Sequence, residues 1–488
     1  MNLGLLAPAL NLSVFPLWAA ILPELILVAS AILVILLDLF TERKKVLAAV
    51  SIIGIVISAF FSLSLWNFSL SYFNGMFALD SFAVFFKLLF LGIAAMVILA
   101  SQDYVSRFAR FQGEYYALIL ISALGMTLMA ATTELISIYI ALELTSIPLY
   151  VLVGFLKDQK STEASLKYLL LGAIASAVLL YGMALVFGFT GETQLGEIGR
   201  VLHTMTPAAL SASPALFLGI VMMIAGFGFK IAAVPFHMWV PDVYEGAPTP
   251  ITAYLSVGSK AAGFAVILRV FNSAFGLPAW LSQEWGMVFA VLAAIGMTLG
   301  NVTALPQVNI KRMLGYSSIA QAGYLMVGLA AMGVAPGADV IGRSGVIFFL
   351  AGYAVANLGA FTAIIAISNK LDSDLIKDYS GVSKRAPLLA LALSLSLISL
   401  IGMPPAAGFM AKFYIFSGAV HNGLLWLVII AVINSVISAY YYLRVVKVMW
   451  FGEPASAEKI PSSSALRIAL LLSSLGVLLL GIVPGYVI

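Results

Sequence analysis

The chain of 488 residues contains no cysteine and only three histidines. The lack of cysteine excludes a disulfide and a cysteine-ligated iron–sulfur cluster within this chain. No group of histidine, cysteine and aspartate has metal-site spacing, and the sequence has neither a G-x-x-x-x-G-K-[ST] loop nor a dinucleotide fingerprint. We therefore expect that the chain holds no cofactor or metal and performs no redox chemistry by itself.

Charge is also scarce in this sequence. Charged residues make up 9% of the chain and hydrophobic residues 62%, and the mean hydropathy is +1.09. A soluble domain has about 25% charged residues, so this chain lacks the polar surface that water requires. Lipid is therefore its expected solvent. The longest loops on one side, near 369–386 and 451–463, are too short for a separate catalytic domain.

Apolar runs of about 20 residues, the length that crosses a bilayer, recur along the whole chain. They predict an all-α polytopic membrane protein with about fourteen transmembrane helices. The predicted spans are 17–39, 46–66, 78–100, 115–132, 134–156, 161–189, 214–239, 249–275, 278–304, 310–333, 343–368, 387–419, 423–450 and 464–486. The first sixteen residues lack the basic start and cleavage site of a signal peptide, so the first span is expected to be retained.

The basic residues are distributed unevenly between the loops. If the odd-numbered loops face one side, that side receives seventeen of the 25 Lys and Arg residues, the other side receives two, and six lie within spans. Cytoplasmic loops of membrane proteins are enriched in Lys and Arg. Both termini are therefore predicted on the non-cytoplasmic side of a cell inner membrane, with a plastid or thylakoid-type membrane as the alternative.

Two short segments suggest an internal repeat. GFGFK at 226–230 in span 7 and GFMAK at 408–412 in span 12 share the pattern G-F-x-x-K. Five spans, an odd number, separate them, so five-helix units made of spans 4–8 and 9–13 would be inverted relative to each other. The predicted organisation is a three-helix segment at 1–112, a first five-helix repeat at 113–276, a second and inverted repeat at 277–450, and a linker with the last span at 451–488.

Both of these spans contain helix breakers. Pro235 follows Lys230 in span 7, and the prolines at 404–405 precede Lys412 in span 12. A proline lacks a backbone donor, so carbonyls one turn earlier, such as those of residues 400 and 401, lose their helical partner. Irregular backbone at membrane depth survives only beside protein or water. We therefore expect helices 7 and 12 to be discontinuous and to lie beside a hydrated interior path.

Four ionisable residues lie within spans and far from charged loops: Glu143 in span 5, Lys230 in span 7, Lys260 in span 8 and Lys412 in span 12. Each costs about 2.5–3.5 kcal/mol at a helix centre, so it must be paired, hydrated or neutral for part of the time. Burial favours a neutral amine, and a nearby carboxylate favours the charged form. We therefore expect Glu143 to hold Lys230 charged, and loss of this pairing to drive its proton toward Lys260. Purely structural ion pairs are the alternative.

Further residues in or near the spans have weaker signals. Lys167, near the cytoplasmic end of span 6, could take up protons or simply extend its amine to the interface. His237 lies seven residues after Lys230, two turns along a regular helix, and could pass protons or anchor the end of the span. Lys87 and Arg269 lie near the outer boundary and are expected to extend to the interface.

The stretch FGFKIAAVPFHMWVPDVYEGAPTPITAYLSVGSKAAGFAVILRVF resembles the signature region of the antiporter-like membrane subunits of respiratory complex I, and within them the subunit N family of NADH-quinone oxidoreductase. The resemblance extends to ALELTSIPLYVLVGF in span 5, NIKRMLGYSSIAQAGYLMVG in span 10 and GMPPAAGFMAKFYIF in span 12. It implies that Glu143 and Lys230 are the family's glutamate–lysine pair, Lys260 its central lysine, Lys412 its span 12 lysine and Lys167 its span 6 lysine.

The same resemblance implies a function and partners. It implies proton translocation coupled to quinone reduction, with NAD(H), FMN, iron–sulfur clusters and quinone all held by other subunits of the complex, both membrane and peripheral. No nucleic-acid partner is expected. A subunit of a multi-subunit sodium/proton antiporter or of a membrane-bound hydrogenase is the alternative within the fold. Those relatives have a histidine in span 8, so Lys260 favours subunit N. A self-contained solute carrier and a structural scaffold are further alternatives.

Overall fold

A computed structural model describes residues 17–42, 44–105, 111–206, 213–334, 340–454 and 456–486. The first sixteen residues, on which the signal-peptide prediction rests, lie outside these ranges, as do the basic residues Arg43, Arg107 and Arg110. Within the described part, thirteen helices are long and apolar enough to cross a membrane. A fourteenth span is divided into two shorter helices, so the predicted number of spans is confirmed.

The membrane helices are numbered here by span. They are α1 (Leu22–Phe40), α2 (Lys45–Ser64), α3 (Ser81–Val105), α4 (Gln112–Ala131), α5 (Leu135–Val153), α6 (Gln159–Thr190), α7a (Pro214–Ile231) with α7b (Trp239–Gly246), α8 (Thr249–Ser273), α9 (Ala279–Ala304), α10 (Ile310–Val334), α11 (Val340–Leu371), α12a (Pro387–Ile401) with α12b (Ala407–His421), α13 (Leu425–Phe451) and α14 (Ser464–Ile482).

Small elements occupy the loops. The short helices are Leu17–Ala20, Leu195–Thr204 and Val382–Arg385, and the 3₁₀ turns are Ile376–Tyr379 and Pro484–Tyr486. A two-stranded antiparallel hairpin of β1 (Leu70–Tyr72) and β2 (Phe77–Leu79) lies between α2 and α3, and the helical pattern did not predict it. The loops that follow odd-numbered helices lie on one side of the bundle, here called the basic face.

The helix breaks lie where the prolines predict them. Helix α7a ends at Ile231 with Ala232 at a φ of 63°, and α7b begins four residues after Pro235. Helix α12a ends at Ile401 with Gly402 at a φ of 91°, and α12b begins after the two prolines. A left-handed residue ends a helix, and the prolines that follow cannot restore its hydrogen bonds. The discontinuity of helices 7 and 12 is therefore confirmed.

Helix α8 contains an irregularity without a proline. Residues Leu255–Ser259 form one π-helical turn that ends at Lys260. Single π turns within α-helices are frequent at functional sites. The hydropathy pattern, which is insensitive to one extra residue in a turn, gave no sign of it.

Helices α8, α10 and α11 form the centre of the bundle. The most apolar stretch of α8 is completely buried and those of α10 and α11 are 94% buried, whereas those of α6 and α14 are only 33% and 28% buried. Helix α7b packs against α6 and α10, and α12b packs against α10 and α11. Helix α10 is therefore a common neighbour of both broken helices. The division of the chain into two five-helix units and flanking segments stays a prediction.

Candidate functional site

Three of the four predicted ionisable residues are buried in the bundle. Lys230, Lys260 and Lys412 are 4%, 2% and 5% exposed, and Glu143 on α5 is half-buried. Lys230 lies one residue before the end of α7a, Lys260 follows the π turn of α8, and Lys412 lies in the second turn of α12b. Each lysine is thus next to an irregular stretch of backbone.

Lys230 reaches Glu143 only indirectly. Its amine donates a hydrogen bond of 2.6 Å to Ser146 Oγ, and the Glu143 carboxylate accepts a short hydrogen bond from Ser176 on α6. Among the described residues, no ion pair of 4.0 Å or less joins Glu143 to Lys230. Ser146, which contacts the amine, lies one turn beyond Glu143 on α5. The role of Glu143 in holding Lys230 charged therefore stays a prediction.

A small cavity adjoins this pair of groups. It is lined by Ser146, Ser176, Tyr150 and Lys230 among others and has a volume of about 10 Å³. That volume is near the minimum for one water molecule, and the lining supplies the polar partners that a buried water needs. Lys230 and Ser176, the serine that donates to Glu143, therefore line the same small polar cavity.

Lys260 is held by one serine and its neighbours. Its amine donates a 2.6 Å hydrogen bond to Ser318 Oγ and a short one to the Ser318 carbonyl on α10. The Ser318 hydroxyl lies 3.1 Å from the hydroxyls of both Tyr244 and Tyr353. Asn357 donates to Tyr353 and, at 2.6 Å, to Ser256 on α8. The ammonium therefore has hydroxyl and carbonyl partners in a network that joins four helices.

Lys412 uses the backbone that the helix break exposes. Its amine donates to the carbonyl of Ile401 at 2.7 Å and to Ser435 Oγ at 2.8 Å, and it lies 4.2 Å from the centre of the Tyr324 ring. The end of α12a leaves the Ile401 carbonyl without a helical donor, so an ammonium can bind there. Gly402 makes room, since a Cβ at this residue would lie 2.9 Å from Lys412 Cδ.

No described carboxylate forms an ion pair with Lys260 or Lys412. An ammonium that is buried without a counter-ion has lost its hydration shell. In exchange it has only hydrogen bonds to hydroxyl and carbonyl groups and contacts with aromatic rings. Its charged and neutral forms are therefore closer in free energy than in water.

Polar groups lie between the three lysines. A Cβ at Gly263 on α8 would lie 3.5 Å from Lys230 Cβ, which places the Lys230 stem against α8 one turn beyond Lys260. On α10, Ser317 makes a short hydrogen bond to Tyr442, and Gln321 donates at 3.0 Å to the Leu400 carbonyl beside Lys412. We call the set Glu143, Lys230, Lys260 and Lys412, with the polar groups between them, the central row.

Sequence reasoning missed the polar groups of α10. Ser317, Ser318 and Gln321 occur in SSIAQ, in the buried part of a mostly apolar span. Hydroxyl and amide groups three and four residues apart lie on one helix face. This spacing in a buried span was a usable signal. The serine partners on α5 and α6 gave none, since serines of this kind also bond the carbonyls of their own helix.

Lys167 and His237 lie outside the central row. Lys167 is 42% exposed at the basic face and forms ion pairs of 2.7 Å with Glu163 and with Asp242. His237 is buried in the break between α7a and α7b, close to the Pro235 carbonyl. Its predicted spacing of two turns from Lys230 assumed a regular helix, and α7a ends at Ile231. The structure therefore does not bring either residue into contact with the buried lysines.

The predicted extension of Lys87 to the interface is wrong, and that of Arg269 stays a prediction. Lys87 is completely buried and pairs with Glu24 on α1 at 2.6 Å. Arg269 binds both carboxylate oxygens of Asp80 at 2.9 Å and the carbonyl of Ala130. A carboxylate brought close by tertiary packing replaces the water that each cation would otherwise seek.

Comparison with known proteins identifies the family. The family model described as NADH:quinone oxidoreductase/Mrp antiporter, TM, matches residues 131–438. NADH-quinone oxidoreductase subunit N of Dehalococcoides mccartyi is 53% identical over 467 residues, which is 95% of this chain and 96% of the relative.

Two solved structures share the fold. A chain of respiratory complex I from Thermus thermophilus superposes with a TM-score of 0.80 at 32% identity, covering 95% of this chain and 98% of that chain. A chain of the membrane-bound sulfane sulfur reductase, an archaeal respiratory membrane complex, has a TM-score of 0.85 at 26% identity, covering 96% of this chain and 95% of that one. The chain therefore belongs to the NADH:quinone oxidoreductase/Mrp antiporter membrane family and is similar over nearly its whole length to NADH-quinone oxidoreductase subunit N.

Proposed function

We propose that this chain is the proton-translocating membrane subunit of an oxidoreductase that transfers electrons from NADH or a related donor to quinone. The observation that carries the proposal is the set of three buried lysines that have no carboxylate in direct contact within the described part of the chain. A permanently charged structural lysine would be paired, as Lys87 is with Glu24. Lysines held only by hydroxyls, carbonyls and rings can give up and regain a proton at a modest cost.

The proton transfers follow from the contacts of the central row. While Glu143 is ionised, its charge on α5 favours the ammonium form of Lys230, whose amine contacts Ser146 one turn away on the same helix. When that charge is neutralised or moves away, Lys230 releases a proton toward Lys260, its neighbour on α8. The polar groups of α10 then connect Lys260 with Lys412. Lys167 and His237 stay lower-ranked candidates for proton transfer on this reading.

We further propose that oxidation of the donor and reduction of quinone take place in partner subunits that hold NAD(H), FMN, iron–sulfur clusters and quinone. The chain has no cysteine, and its described residues include no group of three His, Cys, Asp or Glu side chains that could hold a metal. These facts support a role in translocation without a redox centre of its own.

Partner subunits are also supported by the surface around Glu143. This half-buried carboxylate lies on α5 among the exposed apolar side chains Ile136, Ile140 and Ile147. A carboxylate at a lipid-facing surface is expensive, so a neighbouring membrane subunit would cover it. We propose that the complex lies in a bacterial inner membrane, with the basic face in the cytoplasm and both termini on the opposite side, because basic loops stay in the cytoplasm.

The test is Lys230→Met in the assembled complex, with quinone reduction and proton uptake measured separately. The expected result is a fall in proton uptake by about tenfold or more, because a positioned proton carrier is lost. The matched control is the double variant Glu24→Gln/Lys87→Met, which removes a buried lysine outside the central row and should preserve both activities. Normal proton uptake by an assembled Lys230→Met complex would refute the proposal.

A further inference from the structure

A polar cavity opens on the basic face and is not part of the central row. It has a volume of about 590 Å³ and lies between the start of α6, the end of α7b, the start of α10 and the loop after α11. Charged residues that line it include Asp158, Lys160, Glu245, Lys311, Arg312 and Asp374. We call this cavity the vestibule. A cavity of this size with mixed charges holds water and ions rather than lipid.

The floor of the vestibule is a buried lysine. Lys311, in the first turn of α10, is 4% exposed, and its amine donates at 2.8 Å to the carbonyl of Ala247, which follows α7b. Asp374 Oδ2 lies 3.8 Å from the same amine, a distance at the edge of an ion pair. Asp374 is held in place by a hydrogen bond of 2.7 Å from Ser368 and by its own carbonyl, which accepts from the Ile310 amide. The amine thus lies between an aqueous carboxylate and the protein interior.

A stripe of small hydroxyl residues runs from the vestibule along α8. Thr249 lines the vestibule, and Thr252, Ser256 and Lys260 follow at intervals of three and four residues, all buried. In the regular α-helical part this spacing places Thr249 and Thr252 on one helix face, with about 5–6 Å between their Cβ atoms. The π turn Leu255–Ser259 contains Ser256 and leads to Lys260. Thr252 Oγ1 donates at 3.0 Å to the Tyr244 carbonyl, and Ser256 accepts from Asn357.

A purely structural role would also explain this stripe, because buried Thr and Ser in membrane helices commonly form hydrogen bonds to nearby carbonyls. Ser256 does also donate to the Ala253 carbonyl at 2.8 Å. Two observations favour a functional role. The stripe begins in an aqueous cavity and ends at a titratable amine, and the π turn places an irregular backbone between them. Tyr244 adds a parallel link, because its hydroxyl contacts Ser318, which binds Lys260.

We infer that the vestibule, Lys311 and the hydroxyl stripe of α8 form the route by which protons from the basic face reach Lys260. Lys311 takes a proton from vestibule water and passes it to the stripe. Along the stripe each hydroxyl accepts one proton and releases its own, so no oxidant or co-reactant is needed, and Lys311 is then protonated again from the vestibule. The inference rests on the proposed function of the central row and adds the side and residues of proton uptake.

The first test blocks the vestibule by covalent labelling of one residue in its lining. Because the chain has no cysteine, Asn369→Cys introduces a single thiol at the half-buried lining of the vestibule. Labelling with a bulky, membrane-impermeant methanethiosulfonate applied to the basic face should reduce proton uptake by about tenfold, which corresponds to about 1.4 kcal/mol. The control is Lys384→Cys, an exposed residue of the same face outside the vestibule, whose labelling should have no effect.

Two results of this test would overturn the inference: normal proton uptake by the fully labelled Asn369→Cys complex, or labelling of Lys384→Cys without labelling of Asn369→Cys. The second test removes the stripe with Thr252→Val/Ser256→Ala, for which a tenfold loss is again expected, about 1.4 kcal/mol. Thr127→Val is its control, since Thr127 is a buried threonine on α4 that bonds the Leu124 carbonyl. Uptake that matches the wild type in the double variant would also overturn the inference.

Lys260→Met separates the inference from the proposed function. If Lys260→Met stops proton uptake and labelling of Asn369→Cys does not, the central row carries protons, and the route proposed from the vestibule to Lys260 is wrong. If neither change affects uptake, the proposed function itself is wrong. Should the double variant of the stripe fail to assemble, the labelling test decides, because it is applied to a complex that has already formed.

Discussion

Removing one member of the buried pair Glu24–Lys87 is expected to destabilise the protein more than removing both members. Lys87 is completely buried and Glu24 is 6% exposed, and their ion pair of 2.6 Å is supplemented only by the Phe77 ring at 4.9 Å from the amine. Neither side chain has another hydrogen-bond partner among the described residues. Each charge therefore depends on the other.

The size of the effect follows from the burial of both groups. Leaving one buried charge without its partner costs about 3–5 kcal/mol. Glu24→Gln and Lys87→Met should thus each cost about 3–5 kcal/mol. The double variant removes both charges and leaves one buried amide without a partner, so its cost should be smaller, about 1–3 kcal/mol.

The assay compares the thermal midpoints of the four purified complexes in detergent, together with the amount of this chain retained in each. Both single variants should have lower midpoints than the wild type, and the double variant should recover part of the loss. A double variant as unstable as either single variant would refute the reasoning. Single variants as stable as the wild type would also refute it, because the remaining charged group would then have to be hydrated.

Two other variants test the assignment of charges. Lys412→Arg keeps the positive charge and can still contact the Ile401 carbonyl, but a guanidinium does not release its proton at physiological pH. Proton uptake should therefore be lost while the complex still assembles. Normal proton uptake would mean that Lys412 is a structural cation. At Asp80, burial alone would raise the pKa, but the hydrogen bonds and charge of Arg269 outweigh burial and lower it. The contribution of this pair to stability is therefore present above pH about 4 and lost as the pH falls through the lowered pKa, so the difference in thermal midpoint between wild type and Asp80→Asn should shrink at acid pH. A difference that is the same at pH 7 and at acid pH would contradict this account.

The local sequence was sufficient for the spans and their breaks. Hydropathy over about 20 residues is a property of one segment at a time, so the fourteen spans could be predicted without knowledge of their neighbours. The discontinuity of helices 7 and 12 followed in the same way, since a proline removes a backbone donor in any tertiary setting. Even the availability of the Ile401 carbonyl near Lys412 was implied by the order of residues along span 12.

The partners of the buried charges were outside the reach of local reasoning. Lys230 meets a serine that is 84 residues away in sequence, and Lys260 meets one that is 58 residues away. The spacing of Ser318 with Gln321 was a usable signal, but nothing along the chain distinguishes Ser146 from a serine that only bonds its own helix. For the same reason Ser146, and not Glu143, was found in contact with Lys230.

The sequence by itself determined the solvent of this protein, its number of helices, the two points at which helices break and the residues able to carry a proton. Only the tertiary structure decided that Lys87 has a partner in Glu24, that serines of distant helices contact Lys230 and Lys260, and that a polar cavity meets the hydroxyl stripe of α8. The physical reason is that helix formation in lipid depends on each segment's own apolar length and backbone hydrogen bonds, whereas the environment of a charge depends on which faces of distant helices pack together.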